Sequence, residues 1–310
     1  MNENEYFLRF IKTYGLLVLL ISIIILYSII YYIKSLESFD NLNFCELETT
    51  FDSFKKKIVF VSGFYVNYES IYDNFYSYIY DDISFNSDVY KEQGNLLKKL
   101  FEPHNIHLQN ILIDNIMTGH IYGVISSFPC KITTTNISNS LVKICKRKYP
   151  NIINYNYDIL NNYDTSFNKY TCITNFSHNI YYYNEEKLNT YFRNVNNLLI
   201  HKGFFVINFI NNFKYFNYIY GNINNDPNFF FTNYNYKVYF TSEEKKIQCE
   251  ELISPKRNSK KIRSNIHTLY KHYKNNIIHL CNTNNFTLIQ TIEKSKYKKY
   301  YGYLIFQKST

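Results

Sequence analysis

The stretch "QNILIDNIMTGHIYG", Gln109 to Gly123, decides how the rest of the chain is read. Ile111, Leu112 and Ile113 form a short apolar run of the kind a buried strand shows, and Asp114 follows it. A loop with a single glycine, Gly119, then leads through His120 into "IYG", which reads as the start of a helix. A strand that turns into a helix through a tight loop is where α/β sheets hold nucleotide-type ligands. Glycine matters at such a loop because a Cβ obstructs close approach of backbone to ligand. One glycine alone does not decide between a ligand loop and an ordinary turn, so the neighbours must.

Upstream, "YESIYDNFYSYIYDDI" and "YKEQGNLLKKLF" repeat apolar residues at three- and four-residue spacings, which predicts helix between Tyr68 and Phe101. Downstream, "KITTTNI" (Lys131–Ile137) is β-branched and reads as a second strand. "SNSLVKICKRKYP" follows as a helix with a Ser or Asn N-cap and a stop at Pro150. "NIINYNYDIL" reads as a third strand ending near Asp158, and "KYTCITNF" as a fourth. "NEEKLNTYFRNVNNLLIHKG" is the clearest helix, with an acidic first turn and a stop at Gly203, and "FFVINFI" is a fifth strand. Strands alternating with helices predict an α/β domain with a doubly wound, mostly parallel sheet. "FTLIQTIEK" and "YYGYLIFQK" predict an antiparallel pair at its edge. The basic tract "SPKRNSKKIRSNIHTLYKHYKNN" keeps its lysines on no one face and is expected to be a solvated helix.

Composition narrows the function classes. The chain has 310 residues and a formal charge of +9, from 34 Lys+Arg against 25 Asp+Glu, with 34 Tyr, 26 Phe, 8 Gly and no Trp. Asn, Ile, Lys and Tyr crowd every segment, the bias of an AT-rich genome, so abundant lysine is a weak argument for a nucleic-acid partner and none is expected. The six cysteines form no C-x-x-C pair, which disfavours zinc and predicts free thiols in a reducing compartment; no metal site is expected. No G-x-S-x-G occurs, so a serine hydrolase is disfavoured.

Tyr14 to Ile33, "YGLLVLLISIIILYSIIYYI", carries no charge. At helical rise a segment of that length matches the ~30 Å of a bilayer's hydrocarbon core. The expected organisation is therefore a tail (1–13), one uncleaved transmembrane helix (14–33) seated in a lipid bilayer, a stalk (34–61) and one domain (62–310). A single-pass protein of a host or virion membrane is expected, with its orientation open and its main domain leaning to the cytosolic side, since free thiols suit that compartment.

From Tyr68 to Lys308 the order of these features resembles the class I S-adenosylmethionine-dependent methyltransferases. "YDNFYSYIYDD" resembles the tyrosine-rich helix before their first strand, and "ILIDNIMTGH" stands at their acidic residue and G-x-G-x-G loop. The N-terminal span, an "IYY" after the fourth strand and "RSNIHTLY" (Arg263–Tyr270) are similar to the membrane-anchored methyltransferase-like proteins of large DNA viruses.

The resemblance implies S-adenosylmethionine as cofactor and assigns residues to it. Gly119 matches the last loop glycine, with His120 after it. Aligned without a gap, Asn115 and Met117 take the other two glycine positions and Ile113 the acidic one; Asp114 is that acid only if the loop is one residue shorter. Asn136 stands where an acid holds the ribose, Asp158 where one meets the adenine amine, and Asn168 where another acid is expected. Asn175, Ser177 and His178 follow the fourth strand, where acceptor and methyl group meet, and His178 is the candidate base. Two functions are implied: methyl transfer to an unknown acceptor, or a catalytically inactive domain with a structural or binding role in a viral membrane or virion. The second is suggested by Asn115, Met117, Asn136 and Asn168, four replacements around one pocket.

Overall fold

The computed structural model describes residues 59–84, 87–101, 109–161, 170–214, 229–293 and 301–309. The predicted transmembrane helix at 14–33 lies outside the described residues. Among the described residues no helix is long and apolar enough to cross a membrane.

Seven strands form the main sheet: β2 (Asn110–Asp114), β3 (Lys131–Asn136), β4 (Ile153–Asn156), β5 (Tyr170–Asn175), β6 (Leu199–Ile210), β10 (Phe286–Ile292) and β11 (Tyr301–Lys308). Their order is β10-β11-β6-β5-β2-β3-β4. β2 to β6 run parallel, and β11 is antiparallel to both β6 and β10. The expected antiparallel C-terminal pair is present at the sheet edge. β11 fills an interior slot, and only β10 is marginal.

The reason is legible in burial. Tyr301 to Phe306 are all buried, as are Phe204 to Ile210 on the strand beside them, and continuous apolar runs belong to strands covered on both faces. The central strand β2 is likewise buried from Ile111 to Asp114.

Helices flank the sheet: α4 (His120–Ile125), α5 (Asn139–Lys148), α6 (Glu185–Leu198) and α8 (Lys274–Thr283). Ser138 caps α5 by accepting from Ser140 N–H, and Asn184 caps α6 by accepting from Lys187 N–H. α6 ends earlier than its sequence suggests. Leu199 already pairs with Tyr170, and the left-handed residue of the turn is Lys202 (φ 59°) rather than Gly203. The helical stretch before β2 is three pieces, α1 (Tyr68–Ile71), α2 (Asn74–Ser84) and α3 (Ser87–Phe101).

A second sheet has the order β1-β9-β8-β7, from β1 (Gly63–Tyr65), β7 (Tyr234–Ser242), β8 (Lys246–Pro255) and β9 (Arg263–Tyr270), with the short α7 (Phe229–Asn233) before β7. This corrects the expected basic helix. "RSNIHTLY" is a strand, and Arg263, Asn265, His267 and Leu269 all point inward. Alternation at period two, with polar residues on the buried face, outweighs the lysines around it.

Candidate functional site

The site is built where β2, β3, β4 and β5 end. The loop after β2 has its backbone in the left-handed region at Asn115 (φ 50°), Met117 (φ 59°) and Gly119 (φ 92°). These are the three positions that the ungapped alignment gives to glycine. Left-handed backbone is where glycine is the default residue, and two of these three positions carry a side chain. A non-glycine residue held there costs about 1–2 kcal/mol, with asparagine tolerating it best. Met117 therefore needs support from its surroundings.

Asn136, the last residue of β3, supplies that support. Its Oδ1 accepts from Met117 N–H at 2.9 Å and its Nδ2 donates to Met117 C=O at 3.0 Å. Cys145 Sγ donates to the same carbonyl at 2.8 Å. A carboxylate accepts but cannot donate, so an amide is the residue type that fits both the N–H and the C=O of one residue. Asn136 is fully buried. The residue expected at a ribose is thus turned onto the loop.

Met117's side chain is also buried, with Sδ accepting from Tyr68 Oη at 3.2 Å, and that phenol accepts from Asn115 Nδ2 at 2.6 Å. Gly119 has no room for a Cβ, which would lie 3.1 Å from the Tyr149 ring and 3.2 Å from Cys145 Sγ.

Asp114 lies behind the loop rather than in it. It accepts from Thr135 Oγ1 at 2.8 Å, Asn175 Nδ2 at 2.9 Å and Tyr191 Oη at 2.7 Å. Burial raises its pKa to about 6 against the pull of those hydrogen bonds. Asn175 Nδ2 also faces Asn179 Oδ1 and Tyr191 Oη. Asp114 and Asn175 consequently form one polar knot joining β2, β5 and α6. His120 leaves the loop in the opposite direction, pairing with Asp81 Oδ2 at 3.0 Å and packing against Tyr90. Lys148 pairs with the same carboxylate, and Thr118 donates to it. Burial opposes the charge of Asp81, but His120 and Lys148 beside it hold its pKa far below the usual carboxylate range.

Asp158 follows β4 and stays partly exposed, accepting from Leu160 N–H and Asn161 Nδ2. Burial raises its pKa, and its charge is felt at Tyr68 and Asp114, which places it beside the loop. His178 follows β5 in the left-handed region; its Nε2 is 2.9 Å from Asn208 Nδ2, and the ring packs on Tyr181 and Tyr301. Burial pushes its pKa down to about 3, so the ring is neutral at physiological pH.

A second polar array, on the second sheet, adjoins the loop. The Tyr68 ring sits 4.8 Å from the Tyr182 ring, in the turn Asn179–Tyr182 that follows β5. Tyr182 Oη lies 2.6 Å from His267 Nδ1, and His267 Nε2 lies 2.9 Å from Glu251 Oε2. Glu251 also accepts from Tyr76 and Tyr236 at Oε1 and from Asn265 at Oε2. Sequence reading quotes "IYY" and "RSNIHTLY" but assigns Tyr182 and His267 no task; the alternation of "RSNIHTLY" was the available signal for His267. Among the described residues no three His, Cys, Asp or Glu gather as metal ligands.

No protein-family model and no curated protein matches the sequence. Solved structures do match the fold. A S-adenosylmethionine-dependent methyltransferase from Clostridium acetobutylicum superposes with a TM-score of 0.61 at 16% identity, over 76% of this chain and 99% of that one. A sugar N-methyltransferase from Streptoalloteichus gives 0.56 at 11% identity, over 82% and 98%. An amino pentose methyltransferase from Micromonospora echinaspora, solved with its S-adenosylmethionine, gives 0.53 at 11%, over 78% and 100%. The chain has the Rossmann-like fold of S-adenosylmethionine-dependent methyltransferases.

Proposed function

We propose that the chain is an S-adenosylmethionine-dependent methyltransferase, tethered to a membrane through residues 14–33. The observation that carries the reading is the left-handed backbone at Asn115, Met117 and Gly119, which keeps the donor loop's shape at a cost two replaced glycines would otherwise remove. Bound there, the donor supplies an electrophilic methyl group. The loop amides would meet its amino-acid end and Asp158 its adenine amine. The ribose would have no carboxylate, because Asn136 is engaged with Met117. Transfer from a sulfonium is an in-line displacement that depends chiefly on positioning, which a preformed loop provides.

A second reading, a non-catalytic domain of a viral membrane, is favoured by one observation: Met117 and Tyr68 pack together against the loop. Calorimetric titration of S-adenosylmethionine into the detergent-solubilised 310-residue chain separates the two. Micromolar binding that tightens in Met117→Gly supports the enzyme. No heat at millimolar donor, from a folded sample and from Met117→Gly alike, leaves the non-catalytic reading.

A further inference from the structure

We infer that Tyr182, His267 and Glu251 form a proton relay serving an acceptor that presents its nucleophile as a hydroxyl or ammonium. This deepens the methyltransferase reading and rests on it.

The geometry sets the direction of the relay. Glu251 is fully buried and surrounded by donors: the phenols of Tyr76 from α2 and Tyr236 from β7, the amide of Asn265 from β9, and His267 Nε2. Every one of these neighbours can donate to it, so the carboxylate stays an acceptor. Its partner at Nε2 must then carry the proton, and in the neutral ring Nδ1 is left as an acceptor. Tyr182 is the group at Nδ1, 2.6 Å away, so its O–H points into the imidazole.

A phenol aimed this way turns its oxygen lone pairs toward whatever lies on its other side. Tyr182 packs edge-on against Tyr68, which in turn contacts Asn115 and Met117, so the phenol stands one ring away from the donor loop. Tyr182 is only half-buried, whereas His267 and Glu251 are sealed from water. The arrangement follows the logic of an activated hydroxyl: an outer oxygen, an imidazole behind it, and a carboxylate that fixes the tautomer and steadies the imidazolium.

The step balances as follows. The acceptor's X–H proton passes to Tyr182 Oη, and the phenol's own proton passes to His267 Nδ1. The imidazolium so formed is paired with Glu251. The acceptor's freed electron pair forms the X–CH3 bond as the sulfonium's S–CH3 bond breaks, with that bond's electrons returning to sulfur. No further oxidant, reductant or metal is required. An acceptor without an exchangeable proton would leave the relay idle, so the class is protic. Tyr182 is the catalytic residue here, and Glu251 is a positioning residue.

An aryl sulfonyl fluoride tests the relay without an acceptor. It captures a phenol whose proton has a base to go to: an O–S bond forms, fluoride leaves, and the proton goes to Nδ1. In the detergent-solubilised 310-residue chain, mass spectrometry should find Tyr182 labelled first. His267→Asn should slow that labelling roughly ten-fold or more. A rate unchanged in a folded His267→Asn protein overturns the relay. Should that variant not fold, nitrogen-15 NMR of the native histidines decides. A protonated Nε2 with an unprotonated Nδ1 at His267 supports the relay, and the opposite tautomer overturns it. Donor binding with slow Tyr182 labelling removes the relay and keeps methyl transfer. Fast labelling without donor binding leaves the relay intact and removes methyl transfer.

Discussion

Asn136 and Met117 hold one another through both backbone polar groups of the methionine: the asparagine's amide oxygen accepts from the methionine's N–H and its NH2 donates to the methionine's carbonyl. The two replacements explain each other. A side chain at residue 117 strains a left-handed backbone, and an amide at residue 136 is what restrains it.

Asn136→Asp should therefore destabilise the protein by about 1–3 kcal/mol, because a buried carboxylate would face the Met117 carbonyl with no proton to offer. Urea unfolding measures this. In a Met117→Gly background the loop no longer needs the clamp, so the same change should cost less and donor affinity should rise. Additive costs would sever the proposed link between the two positions.

Asp81→Asn should cost roughly 2–4 kcal/mol, because it strands Lys148 with its side chain only 8% exposed. Asp81's depressed pKa means that the stabilisation is present above the unfolded carboxyl value and is lost as pH falls toward the folded one. Acid-induced melting should set in at higher pH for the native protein than its other carboxylates predict, and Asp81→Asn should flatten that limb.

Asp114 acts with the opposite sign. Its folded pKa of about 6 lies above the ordinary 3.8, so the folded state binds the proton more tightly. Its ionisation penalty at neutral pH, roughly 3 kcal/mol, disappears as pH falls through 6 toward 4. Stability measured at pH 5 and pH 7 should differ less in Asp114→Asn than in the native chain.

His178 should remain neutral throughout the range in which an ordinary histidine titrates, since burial holds its pKa near 3. Its ring carbon protons should not move in NMR spectra between pH 8 and about 5. A titration near pH 6.5 would place the ring in water.

Much of this architecture is legible in the sequence. β2 to β6 follow from apolar runs and from caps such as Ser138 and Asn184, signals that act within a few residues. The loop is legible only through alignment: Asn115 and Met117 fall at glycine positions, yet nothing local says that the backbone keeps a glycine's shape there. That outcome depends on Asn136, far along the chain. Asp114 and His120 have partners that are hidden for the same kind of reason. Their positions beside the loop are readable, but the directions of their side chains are set by Tyr191 and Asp81 on other elements. The second sheet is concealed by composition, because lysines around Arg263–Tyr270 mask a strand whose buried face is polar.

The slot occupied by β11 has a consequence for how the chain is made. Among the described residues β10 pairs with no strand but β11, and Gly302 sits so close to the Ile292 carbonyl that an added Cβ would lie 2.6 Å from it. A nascent chain that has reached Ile292 but not Tyr301 has produced β6 and β10 and holds a gap between them, with the apolar edge of β6 open to other chains. Completion of the sheet thus waits for Tyr301–Lys308 to be made, and loss of this short segment turns an interior seam into a sticky margin.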